Sequence, residues 1–490
     1  MKRNRYIKIG AVLLTLSTAA CNKELTEITP NSVLTTTDYY KTAKDIDLAV
    51  LGIYNSYQTR KPTDYILLEL PTDNLYRTTY TLSAGADDVD NLAITSANQL
   101  FGTFWEATYS GIFRANSVLA NIENPKDYKA QQKDQFIGEA KFMRALFYFD
   151  MVRLFGGVPK VTTLLTIDEA KSTPRAGKEE IYDLIVSDLK DALSTLPTKA
   201  NMAKGRVSNG VAAALLGKVY VYLKDWANAK IYLDMVAGYG YTLQTDFASL
   251  WKLENEDNAE LIFSIKYIEG TNGHTLSSAF LPFGGKTGIA SSGLESVFPS
   301  WDLHKLYEAG DTRKAASITE FYKTPTPANS PTVWFPHVSK YEVKHLLNSS
   351  GIDLPVLRYA DVILLMAEVQ YGLNRPDLAL IELNKVRTRA FGNISKNYTL
   401  ADIATADAFT DKILLERRLE FAFENERWFD LVRTGRLLTE LTFEERGYNP
   451  TTQTALKFTL QPKVHYVFFP IPQRQIEVYN PGVLTQNQDY

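Results

Sequence analysis

A single cysteine, Cys21, stands in 490 residues, so no disulfide can close within the chain and no cysteine-based metal cluster can assemble. Histidine is almost as scarce. His274, His304, His337, His345 and His465 are scattered, without the i, i+4 pairing of a zinc-binding helix. An excess of one charge is missing too: 53 basic side chains face 56 acidic ones for a net −3, which offers no basic footprint for a phosphate backbone and argues against nucleic acid as a partner. Beyond the N-terminal region no run approaches the roughly 20 apolar residues that cross a bilayer. What remains is globular material, 45% hydrophobic and 22% charged, and rich in rings, with 28 Tyr, 24 Phe and 6 Trp.

The position of the lone thiol accounts for it. Residues 1–20 run from a basic stretch (Lys2, Arg3, Arg5, Lys8) through an apolar one from Ile9 to Leu16, and end in small residues, Ser17 to Ala20; this is the layout of an export signal. With Cys21 next, the pattern resembles a bacterial lipoprotein signal, in which Cys21 becomes the acylated first residue; Thr18 stands where leucine is more usual. Removal of residues 1–20 leaves 49 basic against 56 acidic side chains, a net −7. The several acyl chains of such an anchor bury enough methylenes for stable attachment. Residues 21–37, polar and containing Pro30, read as a lipidated tether, and the folded body is expected from Asp38.

Apolar positions at three- and four-residue steps predict helices over 38–58, 98–121, 134–155, 178–195, 207–224 and 226–238. Leu216-Gly217-Lys-Val-Tyr220 followed by Ala229 and Leu233 matches the spacing of a tetratricopeptide repeat, with small residues where two helices must approach closely. A second such pair is expected at 356–372 and 376–391. Between the pairs, residues 240–350 hold a β-like piece, Leu261 to Ile265, glycine-rich loops and a proline-rich stretch, Thr324 to Pro331. The predicted fold is mostly α: tetratricopeptide-like helix pairs forming a scaffold, with long loop-rich insertions and a few short strands. Residues 38–490 read as one domain, with an N-terminal half 38–240, a loop-rich insertion 240–350 and a C-terminal helical half 351–490. Long loops on a rigid scaffold are where binding residues concentrate.

Catalytic signals fail on inspection. Gly285-Lys286-Thr287 mimics the end of a phosphate loop, but Phe280 stands where its first glycine belongs. Ser187 and Lys286-Thr287-Gly288 mimic parts of a penicillin-binding site without the middle motif. Asp87-Asp88-Val-Asp90-Asn91 lacks the spacing of a calcium loop and reads as a solvated acidic turn. Glu416, Glu420, Arg427 and Asp430 fall at helical steps, where carboxylates interleaved with arginines stay ionised, unlike a glycosidase's proton donor.

The same stretch carries a resemblance. Arg358-Tyr-Ala-Asp361 through Ala367-Glu368, then Glu416-Arg417 through Glu420, Phe423-Glu424, Arg427, Asp430-Leu431 and Arg433, then Phe469-Pro-Ile-Pro472 and Gln486-Asn487 to Tyr490 are similar to successive blocks of the SusD/RagB family of Bacteroidetes outer-membrane lipoproteins. Glu69-Leu-Pro-Thr-Asp73-Asn74, Trp105, Tyr109, Glu139-Ala140, Arg144-Ala145 and Leu154-Phe-Gly-Gly-Val-Pro159 follow the family's order, so the resemblance covers essentially the whole mature chain. Asn425 and Asp489 replace usual glycines and Thr434 a usual tryptophan. The resemblance implies a surface-exposed outer-membrane lipoprotein that sits on a TonB-dependent (SusC-like) transporter and captures nutrient, usually glycan and sometimes peptide. With no catalytic or metal-binding constellation in the sequence, no enzyme activity, cofactor or metal is expected.

A sugar lays its C–H face on an aromatic ring while its hydroxyls need charged or amide partners. One loop offers that mixture: Arg60 upstream, then Asp73, Asn74, Tyr76, Arg77 and Tyr80. In the family, sugar-contacting rings come from the stretch after L-P-T-D and from a glycine-rich stretch before the D-x-R block, here Asp311-Thr-Arg313; the resemblance thus points to Tyr76 and Tyr80, and to Phe280 and Phe283. Trp301 reads equally as core or rim, and Trp334 as rim. The expected function is glycan capture for the transporter; an oligopeptide ligand, or an assembly lid with little affinity alone, are the alternatives.

Overall fold

Helices form where the periodicity places them. The structure, a computed structural model, describes residues 39–77, 84–442, 445–449, 451–457 and 460–490. Its longer helices are α1 (Ala43–Arg60), α2 (Gln99–Asn121), α3 (Gln132–Phe155), α4 (Lys178–Thr195), α5 (Asn209–Tyr222), α6 (Trp226–Ala237), α7 (Tyr359–Gly372), α8 (Pro376–Phe391), α9 (Ala406–Phe421) and α10 (Arg427–Thr434). Their starts follow local chemistry: Thr42 and Asp45 close a capping box on α1, and Pro376 opens α8 at the position that needs no N–H.

From α1 to α8 each helix packs on the next, giving the expected tetratricopeptide-like pairs α5–α6 and α7–α8. Gly217 shows why the spacing matters. A Cβ there would lie 2.5 Å from Leu233 Cδ2, so only glycine lets α5 and α6 approach this closely. No helix of the described residues is long and apolar enough to cross a membrane.

The strands form antiparallel pairs: β1 (Leu75–Tyr76) with β3 (Phe298–Pro299), β2 (Leu261–Ile265) with β6 (Leu354–Arg358), β4 (Ile318–Tyr322) with β5 (Val333–Val338), and β7 (Gly447–Asn449) with β8 (Thr454–Leu456). The β2–β6 pair corrects the helix expected from 356, since 354–358 is strand and α7 begins after Arg358. The β1–β3 pair, Tyr76 opposite Phe298, brings the loop-rich stretch onto the segment after Asp73.

The charged motifs converge in the interior. Arg358 donates to Glu260 Oε1 (2.5 Å), Glu420 Oε1 (2.9 Å) and both oxygens of Glu424 (2.8 Å each). Arg313 pairs with Asp311 (2.7 Å) and Glu416 (2.6 Å), and Arg417 with Asp361 (2.7 Å) and Asp430 (2.8 Å). Burial works to raise the carboxyls of Glu420 and Asp361, but Arg389, Arg358 and Arg313 around the first, and Lys218 and Arg417 around the second, hold both well below the usual range. Arginine interleaved with acid on α9 is therefore architecture.

Two departures from the family pattern fall where the backbone takes the conformation a glycine favours. Asn425 (φ +71°) and Asp489 (φ +68°) sit in the left-handed region, and Asn and Asp are the residues that replace glycine there at least cost. Thr434 ends α10, its hydroxyl bonded to the Asp430 carbonyl (2.7 Å).

Candidate functional site

The residues after Leu70 lie one layer below the surface. Asp73 and Asn74 are buried: Arg427 grips the Asp73 carboxylate through Nε (2.8 Å) and Nη2 (2.6 Å), and Asn74 donates to Glu69 (2.7 Å) while accepting from Arg418 Nε (2.9 Å). Arg418 also reaches the Asp73 carbonyl (2.5 Å) and Asp302 (2.8 Å). Glu69 accepts the backbone N–H groups of Phe423 (2.7 Å) and Asn425 (3.0 Å), and burial pushes its carboxyl up to about 7. Arg446 donates to the carbonyls of Leu70 (3.0 Å) and Leu75 (3.1 Å) and to Asp90 (2.8 Å). The acidic turn is thus only partly solvated, with Asp90 buried and Asp87 paired to Arg77 (2.8 Å).

This corrects several expected ligand contacts. Arg60 is buried between Asp64 and Asp150 with its guanidinium over the rings of Tyr57 and Phe104. Phe280 is core, against Tyr65, Tyr341 and Phe423. Tyr76 is only 5% exposed and forms a floor with Phe298 and Tyr448. Asp73 and Asn74 serve a different purpose: the Ser300 N–H donates to the Asn74 carbonyl (2.8 Å) and the Ser300 hydroxyl to that of Asp73 (2.5 Å), and Ser300 caps the short helix Trp301–Leu306. They are the bed on which Trp301 is set. Arg77 is half-buried, Phe283 is 67% exposed, and Tyr80 and Cys21 lie outside the described residues.

On that floor stands an aromatic platform. Trp301 and Trp334, both half-buried, meet edge-to-face at 6.1 Å and 74°, and each packs on Tyr448, at 5.4 and 5.6 Å. Phe335 packs on Phe298 (5.1 Å), and Phe321, opposite Trp334 across the β4–β5 ladder, is 53% exposed. The rim is polar. His304 stacks on Trp301 (5.0 Å, 7°) and meets Glu320 at 2.8 Å, which also pairs with Lys314 (3.0 Å). Burial and Lys314 hold the His304 imidazole below its ordinary value, overcoming Glu320. The loop of Phe283 is tied to this hairpin through Thr287, whose N–H donates to the Lys323 carbonyl (2.8 Å).

Half-exposed indoles with an imidazole stacked on one of them and a carboxylate and an ammonium close by suit a polyhydroxylated ligand: open ring surface takes C–H faces and the polar groups take hydroxyls. The sequence reading missed His304 and Tyr448 and left Trp301 undecided. A tryptophan just after the serine N-cap of a short helix was the available signal for Trp301; none marked Tyr448, which lies about 370 residues from Tyr76.

The chain is similar to known proteins along most of its length. The profile of the SusD family matches residues 335–490, and one described as starch-binding associating with outer membrane matches residues 29–221. The SusD-like protein P38 of Formosa agariphila is 27% identical over 477 residues, covering 89% of this chain and 93% of that protein. A SusD-like protein of Bacteroides ovatus is 26% identical, covering 79% and 81%. Among solved structures, a laminarin binding SusD-like protein superimposes with a TM-score of 0.77 at 25% identity, covering 92% of this chain and all of that one.

Proposed function

We propose, from the premise that this chain belongs to the SusD/RagB family, that it is a surface-exposed glycan-binding lipoprotein that captures oligo- or polysaccharide and delivers it to a TonB-dependent outer-membrane transporter. The observation that carries the binding is the pair of half-exposed indoles, Trp301 and Trp334, set on a tyrosine floor beside a polar rim. The laminarin-binding relative supports a carbohydrate rather than a peptide. Residues 1–20 as signal, Cys21 as acylated residue and 21–37 as tether supply the attachment, and the order of motifs shared with the family supports the transporter as partner. The platform is read as binding without cleaving: Lys314 and His304 hold the rim carboxylate Glu320 ionised below its ordinary value, unlike a glycosidase's proton donor. Tyr80, four residues past the floor residue Tyr76, is proposed as a further stacking ring.

Calorimetry of the mature chain, begun at Asn22, against soluble polysaccharides, host glycans and oligopeptides tests this reading. Saturable binding to one glycan class, lost in the Trp301→Ala/Trp334→Ala variant, supports it. Peptide binding, or glycan binding indifferent to that variant, overturns it.

A further inference from the structure

A cavity of about 320 Å³ opens between the turn Lys199–Asn201, the segment leading into α5, and strand β2, and it shares no lining residue with the platform. Small-molecule sites begin near this size, about 300 Å³. Ser208 and Tyr241, each 2% exposed, line it, and among the described residues neither hydroxyl finds a well-aligned hydrogen-bond partner other than its neighbour. Ser208 is the N-cap of α5, where a serine ordinarily accepts a first-turn N–H, yet its side chain makes no such bond. Tyr241 is seated over Gly210 in the first turn: a Cβ there would meet its hydroxyl at 3.2 Å. The two hydroxyls are neighbours, and even a bond between them would leave donor and acceptor capacity open. Buried hydroxyls with capacity left open mark places where an occupant's polar atoms belong.

The charges on the walls are unequal. Lys266 and Lys204 pair with Asp257, Lys266 also with Asp353, and Arg206 with Asp47 and Glu139. Lys199 has no ion pair among the described residues; its ammonium lies 4.6 Å from the centre of the Tyr241 ring, at the cavity mouth. The N-terminus of α5 adds partial positive charge on the same side. Glu256, which also lines the cavity, is pushed by burial up to about 7, so it is only about half ionised in neutral solution and opposes the lysine in part.

We propose that this cavity binds a small hydroxylated carboxylate of monosaccharide size, a sugar acid such as a uronate, with its hydroxyls on Ser208 and Tyr241 and its carboxylate on Lys199. The site is independent of the platform and of the function proposed for it.

Calorimetry of the mature chain with glucuronate, galacturonate and glucose reads it directly. The expected result is saturable one-site binding of a uronate at least tenfold tighter than glucose. Lys199→Met, on an exposed turn, removes that preference; Ser208→Ala and Tyr241→Phe each weaken binding severalfold; Trp301→Ala/Trp334→Ala leaves it within twofold. A digalacturonate arm separates the sources: tighter binding than the monomer identifies the acidic end of an oligosaccharide, and equal or weaker binding the free sugar acid. Absence of saturable uronate binding, indifference to both Lys199→Met and Ser208→Ala, or loss in the tryptophan variant would overturn the proposal.

Discussion

The buried ionic network and the aromatic platform lie side by side and are joined through Arg418, which touches Asp73, Asn74 and Asp302 at once. In the first, guanidinium and carboxylate are removed from water and matched nearly one to one. In the second, rings stay half in water and their polar neighbours sit at the edge. The difference separates two kinds of recognisable residue. The motifs shared with the family are those that hold the interior together, and the rings proposed to meet a ligand lie outside them.

Breaking the network should cost most. Arg358→Ala leaves Glu260, Glu420 and Glu424 buried without their shared partner, and a loss of about 3–5 kcal/mol is expected in urea denaturation. Acid attacks the same place. Because the folded-state pKa values of Asp361 and Glu420 are depressed, their stabilisation is full above the unfolded-state values near 4 and drains as pH falls, so the melting temperature should drop below about pH 4.

The platform should show the reverse pattern. Trp301→Ala/Trp334→Ala is expected to weaken glycan affinity by about 2 kcal/mol or more, roughly 30-fold, measured by calorimetry. A change at the joint should blur the contrast: Asp73→Asn weakens the grip of Arg418 and Arg427 and loosens the bed of Trp301, lowering stability by about 1–3 kcal/mol and affinity with it. An exposed platform residue should barely register in folding, with Phe321→Ala changing stability by no more than about 0.5 kcal/mol. Smallest of all is the expected effect of mild pH change on binding. Burial holds Tyr76 and Tyr448 protonated and His304 is depressed, so affinity between about pH 7 and pH 8.5 should stay within twofold. A steep profile there would show that the rim contributes more than the rings.

Much of the helical scaffold was legible because helix periodicity is local: α4 and α8 begin and end where the apolar spacing places them, and Gly217 with Ala229 marks a close pair. Strand 354–358 was not, since its hydrogen-bond partner lies about 90 residues away and its apolar residues suit a helix start equally well. The candidate platform lies one layer above the residues the sequence suggested. Asp73, Asn74 and Tyr76 have the composition of a sugar-binding loop, and what buries them is Arg418, Arg427 and Tyr448, more than 340 residues downstream. Arg60 and Phe280 fell to the same cause, since composition carries no record of which distant helix covers a loop.

That long reach bears on how the chain is finished. Glu69, Asp73 and the carbonyls of Leu70 and Leu75 all wait for groups supplied between residues 418 and 446. A product that stopped before α9 would leave these acidic and carbonyl groups near residue 70 without the partners that cover them here.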